Sequence, residues 1–186
     1  MDAAGRIFVG DDAALAQTLR ALKRRACPFC QRHGTLNCHS HIVGNDPQAS
    51  QGRITRGQRA FCSNRGHRTG CGRTFPILLA FVLPRHTFNA RLLWKALAAW
   101  LAGVSLKAAW EAAQLALALD TFYHLLQRLR RRLDLVRTAL CVLQAAPPSA
   151  ARDPLVQTLE HVRCVCRTPA SPLEAFQLRW QRPLLG

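Results

Sequence analysis

Apolar residues recur at helical spacing through the second half of the chain. Leu93, Leu97, Trp100 and Leu101 form one stripe, which predicts a helix closed by Gly103. Ser105 then stands as the N-cap of a second helix over Leu106 to Leu115. Phe122, Leu125, Leu126, Leu129, Leu133 and Val136 fall at i, i+3, i+4 and i+7, the buried side of a third helix capped by Asp120 or Thr121 and extending to Gln144. Near the start, Leu15, Leu19 and Leu22 follow Asp11 and Asp12 and precede Lys23, Arg24 and Arg25. That order predicts a short amphipathic helix whose end charges complement its macrodipole. Its leucines are expected to rest on the cysteine-bearing segment or on the later helices.

Between these helices the pattern changes. Residues 35–44 and 52–61 read as two strands joined by a polar loop over 45–51, but their hydrophobic alternation is weak. Packing alone would hold such strands poorly, so a bound metal would have to supply the stability. Pro76 and Pro84 enclose the apolar run 77–83, too short for an average helix and bounded by residues that stop one. It is expected to pack the strands against the helices. Ala145 to Pro154 reads as a linker, Leu155 to Cys166 as a last short helix, and the tail with Pro169, Pro172 and Pro183 shows no interpretable pattern. The fold class expected is α+β, mainly α with a small β unit. Its regions are an N-terminal helix (1–26), a cysteine-bearing ribbon (27–84), a helical domain (85–145), and a linker, short helix and irregular tail (146–186).

A length of 186 residues supports one or two small domains and argues against a large catalytic one. Charge narrows the partner. There are 26 Lys and Arg against 10 Asp and Glu, a net +16, and most of the bases are arginines, which fork onto phosphate oxygens and guanine edges. A polyanion is expected, with nucleic acid ahead of an anionic membrane surface or an acidic protein. Eight cysteines (27, 30, 38, 62, 71, 141, 164 and 166) are enough for a disulfide scaffold, but 49% hydrophobic content can build a core without one. The opening residues show no basic segment leading into an apolar one, so a reducing cytoplasm is expected, with the protein on the nucleoid. Lys95, Lys107 and Glu111 interrupt the most apolar region, and no membrane-spanning helix is expected.

The cysteines carry the sharpest signal. Cys27-Pro28-Phe29-Cys30 supplies two ligands from one tight turn, and Cys62 with Cys71 supplies the second pair of a tetrahedral Zn²⁺ site. Eight residues separate Cys62 from Cys71 where two to four are usual, so either a loop is inserted or His67, or Cys38 with its neighbours His39 and His41, completes the set. Four thiolates leave no open position, which makes the zinc structural. Cys141, on an apolar helical run, is expected to be a small buried side chain, and Cys164 and Cys166 form a weak metal signal.

Helix, Gly-containing turn, helix and basic helix is the order of a helix-turn-helix unit. The side of the third helix opposite its leucines carries Tyr123, His124, Gln127, Arg128, Arg130 and Arg131, residues able to read base edges or neutralise phosphates. The plainer alternative is a solvated charged face. Trp94, Trp100 and Trp110 are expected in the core rather than stacked on bases. Arg65 and Arg68, with Arg53, Arg56 and Arg59, form a second basic patch on the ribbon, a backbone grip or ordinary solubilising charge.

The order Cys27-Pro28-Phe29-Cys30, His33-Gly34, Arg59-Ala60-Phe61-Cys62, Cys71-Gly72-Arg73-Thr74-Phe75 and Leu83-Pro84 resembles the N-terminal DNA-binding half of bacterial insertion-sequence transposases over residues 27–135. The resemblance implies a zinc ribbon and helix-turn-helix that bind double-stranded DNA at terminal repeats, with a homodimer or a transposition partner protein as further partners. In those proteins an RNase H-like domain with two metal ions follows. Here the acids beyond Arg137 are Asp153, Glu160 and Glu174, so no enzyme is expected. The second cysteine pair is also wider than the family pattern. The competing expectations are a protein-interaction adaptor or transcriptional regulator built on the same ribbon and, last, an RNA binder, for which stacked exposed aromatics are wanting.

Overall fold

The computed structural model describes residues 5–45, 52–67, 69–114, 117–168 and 171–185. Arg68, most of the loop read over 45–51, Leu115 and Pro169 lie outside them. The fold is mixed α and β. Four strands, β1 (Ile7–Val9), β2 (Leu36–Asn45), β3 (Arg53–Cys62) and β4 (Thr74–Leu79), form one sheet in the order β1-β4-β3-β2. β2, β3 and β4 pair antiparallel, while β1 adds in parallel at the other edge with Ile7 opposite Ile77.

β1 was not expected. Three residues are too few to show alternation, and the strand exists because β4 offers it a free edge. Pro76 sits in β4 although that strand is internal. β1 reaches β4 only from Ile77 onward, so the proline occupies a stretch paired on one side alone. Helix α1 (Asp12–Arg20) begins at Asp11, whose carboxylate accepts from the Ala14 amide at 2.7 Å. Leu15 and, in the 3-10 turn that follows, Leu22 sink into a cluster with Phe8, Leu36, Phe75, Ile77 and Leu79, so the N-terminal leucines rest on the sheet.

The helices build a second cluster. α2 (Ala90–Leu101) is capped by Asn89 and ends at Gly103, in left-handed backbone at φ +89° as the turn there requires. α3 (Leu106–Ala112) starts at Ser105, whose hydroxyl accepts from the Ala108 amide. α4 (Leu119–Arg130) begins one residue before Asp120, with Ala118 as its N-cap and no side-chain cap in place of the expected Asp120 or Thr121. Phe122, Leu125, Leu126 and Leu129 are buried as predicted. Trp110 stacks on Phe122 with ring centroids 4.8 Å apart, meets Phe88 edge-on, and donates its indole N–H to the Leu117 carbonyl at 2.9 Å. It is the keystone of this core.

Three expectations are corrected. The long third helix breaks at Arg131 and Arg132, and α5 (Leu133–Cys141) follows as a separate helix. Val136 and Leu140 lie in the core shared with α6 (Pro154–Val165), and Arg137 donates to Gln157 at 2.8 Å. Cys141, one position past Leu140, is rotated out to solvent rather than buried. The irregular tail contains a helix, α7 (Pro172–Trp180), entered through Ser171. Its pattern was obscured because it buries polar as well as apolar side chains: Leu173 and Phe176, but also Glu174 and Gln177. Glu174 pairs with Arg91 of α2 at 2.6 Å, while the Gln177 amide donates to the Ala80 and Val82 carbonyls. Gln181 exchanges two hydrogen bonds with the Phe8 backbone. α7 therefore fastens the helical cluster to β1 and to the 80–82 connection.

Candidate metal centre and basic surface

The sulfur atoms of Cys27, Cys30, Cys62 and Cys71 all lie within 4.8 Å of one another, although the residues come from two distant segments. Cys27 and Cys71 are 3.7 Å apart at sulfur, as are Cys30 and Cys62. A disulfide would need about 2.05 Å. The edge of a tetrahedron with metal–sulfur bonds of about 2.3 Å is about 3.8 Å, which matches. These four thiolates can hold a metal ion. Among the described residues no other such group of His, Cys, Asp or Glu converges.

Local backbone geometry explains the convergence. Cys27 ends the segment after the 3-10 turn, its amide bonded to the Arg32 carbonyl and its carbonyl to the Gln31 amide, with Gln31 in left-handed backbone at φ +59°. That tight turn aims Cys27 and Cys30 at one point. Cys62 closes β3. Its amide and carbonyl pair with Arg73 and Gly72 at 2.9 Å, and Gly70 donates to Ser63, so the two ends of the segment between the second cysteines are pinched together. A side chain at Gly70 would run into the Ser63 carbonyl and the Cys62 sulfur. The wide spacing is thus an inserted loop. His67, exposed on that loop, and Cys38, exposed on β2, stand outside the cluster.

Burial graded across the set bears on chemistry. Cys27 and Cys62 are fully buried, Cys30 is half-buried and Cys71 exposed. Burial pushes the Cys27 thiol up against the opposing backbone bonds from Cys30 and Phe29. Burial also resists ionisation of Cys62, but the Thr35 hydroxyl, the Cys71 amide and the neighbouring thiols outweigh it and bring it down to about 7. Phe29 and Phe75 meet edge-on beside the site, and Arg73 lies over the Phe29 ring at 5.2 Å.

The residues read as DNA contacts sit on the outside. Tyr123, His124, Gln127, Arg128, Arg130 and Arg131 are all exposed, on the side of α4 opposite its buried leucines. His124, Gln127, Arg128 and Arg131 line one shallow groove together with His86, whose Nε2 is 3.4 Å from Arg128 Nη1. Arg130 points elsewhere and is tied to Asp153 at 2.8 Å, bracing α4 against the start of α6. Arg65 is exposed on the loop between Cys62 and Cys71 and does not line that groove. The residue that sequence reasoning passed over is Arg85, beside His86. Only its place in the 80–89 connection, a matter of tertiary packing, brings it to the same surface. No described helix is long and apolar enough to cross a membrane. Comparison with protein-family models, with curated proteins and with solved structures finds no match to this chain.

Proposed function

We propose that the protein binds double-stranded DNA through the exposed side of α4, with a structural Zn²⁺ held by Cys27, Cys30, Cys62 and Cys71. The observation that carries the reading is the division of α4: every leucine faces the core, while Tyr123, His124, Gln127, Arg128 and Arg131 face solvent as a group. α2, α3 and α4 act as a helix-turn-helix in which Trp110 sets the seat of the recognition helix. An all-sulfur set with a near-tetrahedral edge suits Zn²⁺ among the common ions, and four protein ligands leave no place for a reactive water. The order of cysteine motifs and helices relates the chain to the binding portion of insertion-sequence transposases, and the proposal assigns it no catalytic step.

Duplex is favoured over single strands because Tyr123 is the one large aromatic among the exposed hydrophobic side chains described, too little for a stacking platform. The test is fluorescence anisotropy of a labelled random-sequence duplex against the zinc-loaded protein over a range of salt. Arg128→Gln with Arg131→Gln should lower the slope of log K against log salt by about 1.8, two phosphate contacts at about 0.9 each. Wild-type binding by that variant overturns the reading. A protein-interaction adaptor is the second reading, favoured by the apolar residues Leu135, Val142 and Leu143 exposed on and just after α5. It expects a partner retained after nuclease treatment.

A further inference from the structure

The connection between β4 and α2 holds Arg85 in left-handed backbone, φ +68°. A non-glycine residue pays on the order of 1 kcal/mol for that conformation, so its surroundings must impose it. They do so: His86 donates its amide to the Leu83 carbonyl, Arg56 donates a guanidinium N–H to the same carbonyl, and Ala90 bonds to Phe81. The consequence is that Arg85 lines two grooves at once. One lies between the sheet and the 82–85 connection and is also lined by Arg6, Arg56 and Arg59. The other is lined by Arg128, Arg131 and Arg132 at the end of α4, and through Arg128 and Arg131 it runs into the groove of Gln127 and His124.

The sheet contributes its part by an irregularity. Thr55 and Gly57 pair with consecutive β2 residues, Val43 and Ile42, which leaves Arg56 as the extra residue of a bulge. The bulge turns Arg56 toward the face of Arg59, and both line the first groove. Gly57 is needed there, since a Cβ at its φ of +150° would collide with the Ile77 carbonyl. The ring of His86 lies at the junction. Its basicity is lowered by burial and then by the charges of Arg128 and Arg56, so both guanidiniums lie close enough to act on one imidazole. Across the three grooves seven arginines line the walls and no carboxylate is among the lining residues described.

We infer that these grooves form one phosphate-binding track, in which Arg59 and Arg85 grip the backbone of duplex DNA beside the segment engaged by α4. The inference rests on the DNA-binding reading and extends it from a single helix to a surface shared by sheet, connection and helix. The track gives affinity and orientation without base readout, since guanidiniums on phosphates fix register and carry no sequence information.

The experiment compares two double variants of the full, zinc-loaded chain by anisotropy against the same random duplex across salt. Arg59→Gln with Arg85→Asn probes the track. Asn tolerates the left-handed backbone at position 85, and Arg56 is left in place because it braces Leu83. Arg128→Gln with Arg131→Gln probes α4. The track predicts that the first variant lowers the salt slope by about 1.8 and weakens binding about ten-fold or more near physiological salt, with an unchanged circular dichroism spectrum. Arg59→Lys with Arg85→Lys should restore the slope, which a purely structural role would not. If the first variant binds like wild type while the α4 variant loses slope, the track is overturned and the DNA-binding reading stands. If neither loses slope, both fall. Loss in the track variant alone also overturns the inference, because the two surfaces are then not joined, as does tighter binding to a single strand than to duplex.

Discussion

Stripping the metal from the four-sulfur site is expected to dismantle the sheet while the helices persist. The reason lies in what the β2–β3 hairpin buries. Of the ten residues of β2 only Leu36 is buried, and the buried positions of β3 are Gly57, Gln58, Ala60 and Cys62, so the hairpin contributes little large apolar surface. Its base is held instead by sulfur. With the cation gone, thiolates crowded within 4.8 Å repel, and protonated thiols at the buried Cys27 and Cys62 lose their common acceptor of electron pairs. Structural zinc in small modules contributes about 10 to 16 kcal/mol near neutral pH, which matches or exceeds the 5 to 15 kcal/mol by which a whole domain is stable. The hairpin should therefore unfold outright rather than loosen. The helical cluster, with Phe122, Leu125, Trp110 and Phe176 fully packed, has no sulfur ligand in it. Hydrogen exchange read by mass spectrometry, with and without a strong chelator, checks this. Amides of β2 and β3 should exchange at unfolded rates in chelator while those of α2 and α4 stay protected. Cobalt loading of the native protein should show tetrahedral thiolate absorption, and Cys62→Ser should abolish it. Native protection in β2 and β3 after verified metal removal, or their full protection in protein that elemental analysis finds metal-free, would refute the reasoning.

Trp110→Ala should cost about 3 to 5 kcal/mol and lower Tm by about 10 °C, because it opens a cavity between Phe88 and Phe122 and removes the bond to Leu117. A variant that melts like wild type yet loses DNA binding would instead make Trp110 a base-stacking residue. Asp153 is held below the usual carboxylate range: burial opposes this, but the Leu155 amide and Arg130 prevail. Its contribution to stability is therefore present above the unfolded value of about 4 and lost as pH falls through the lower folded value. Asp153→Asn should flatten that acid limb in urea titrations at successive pH values, and an unchanged limb would show that the pair contributes nothing there.

Much of the site was legible because metal ligation is local in sequence. Cys27 and Cys30 must share a turn at that spacing, and Cys62 and Cys71 announced themselves despite the wide gap, although the choice among Cys71, His67 and Cys38 needed the fold. The buried stripe of α4 was equally plain, since Phe122, Leu125, Leu126 and Leu129 repeat at the helical period. α7 was not legible: Glu174 and Gln177 are buried by pairing with Arg91 and with the carbonyls of Ala80 and Val82, partners about ninety residues away, and they erase the amphipathic signal. The break after Arg130 hid for the opposite reason. Its apolar period runs on unbroken into α5, whose Val136 and Leu140 pack in the cluster shared with α6.

Short-range periodicity and ligand spacing are properties of the chain itself, so helices, caps and the four-cysteine set could be read directly from residue order. The placing of Arg85 beside Arg59 in one groove and beside Arg128 in another could not. It goes with a bulge in β3 and a left-handed residue after Pro84. Each of these is imposed by contacts between segments far apart in sequence, where the energy of packing overrides what any local stretch prefers.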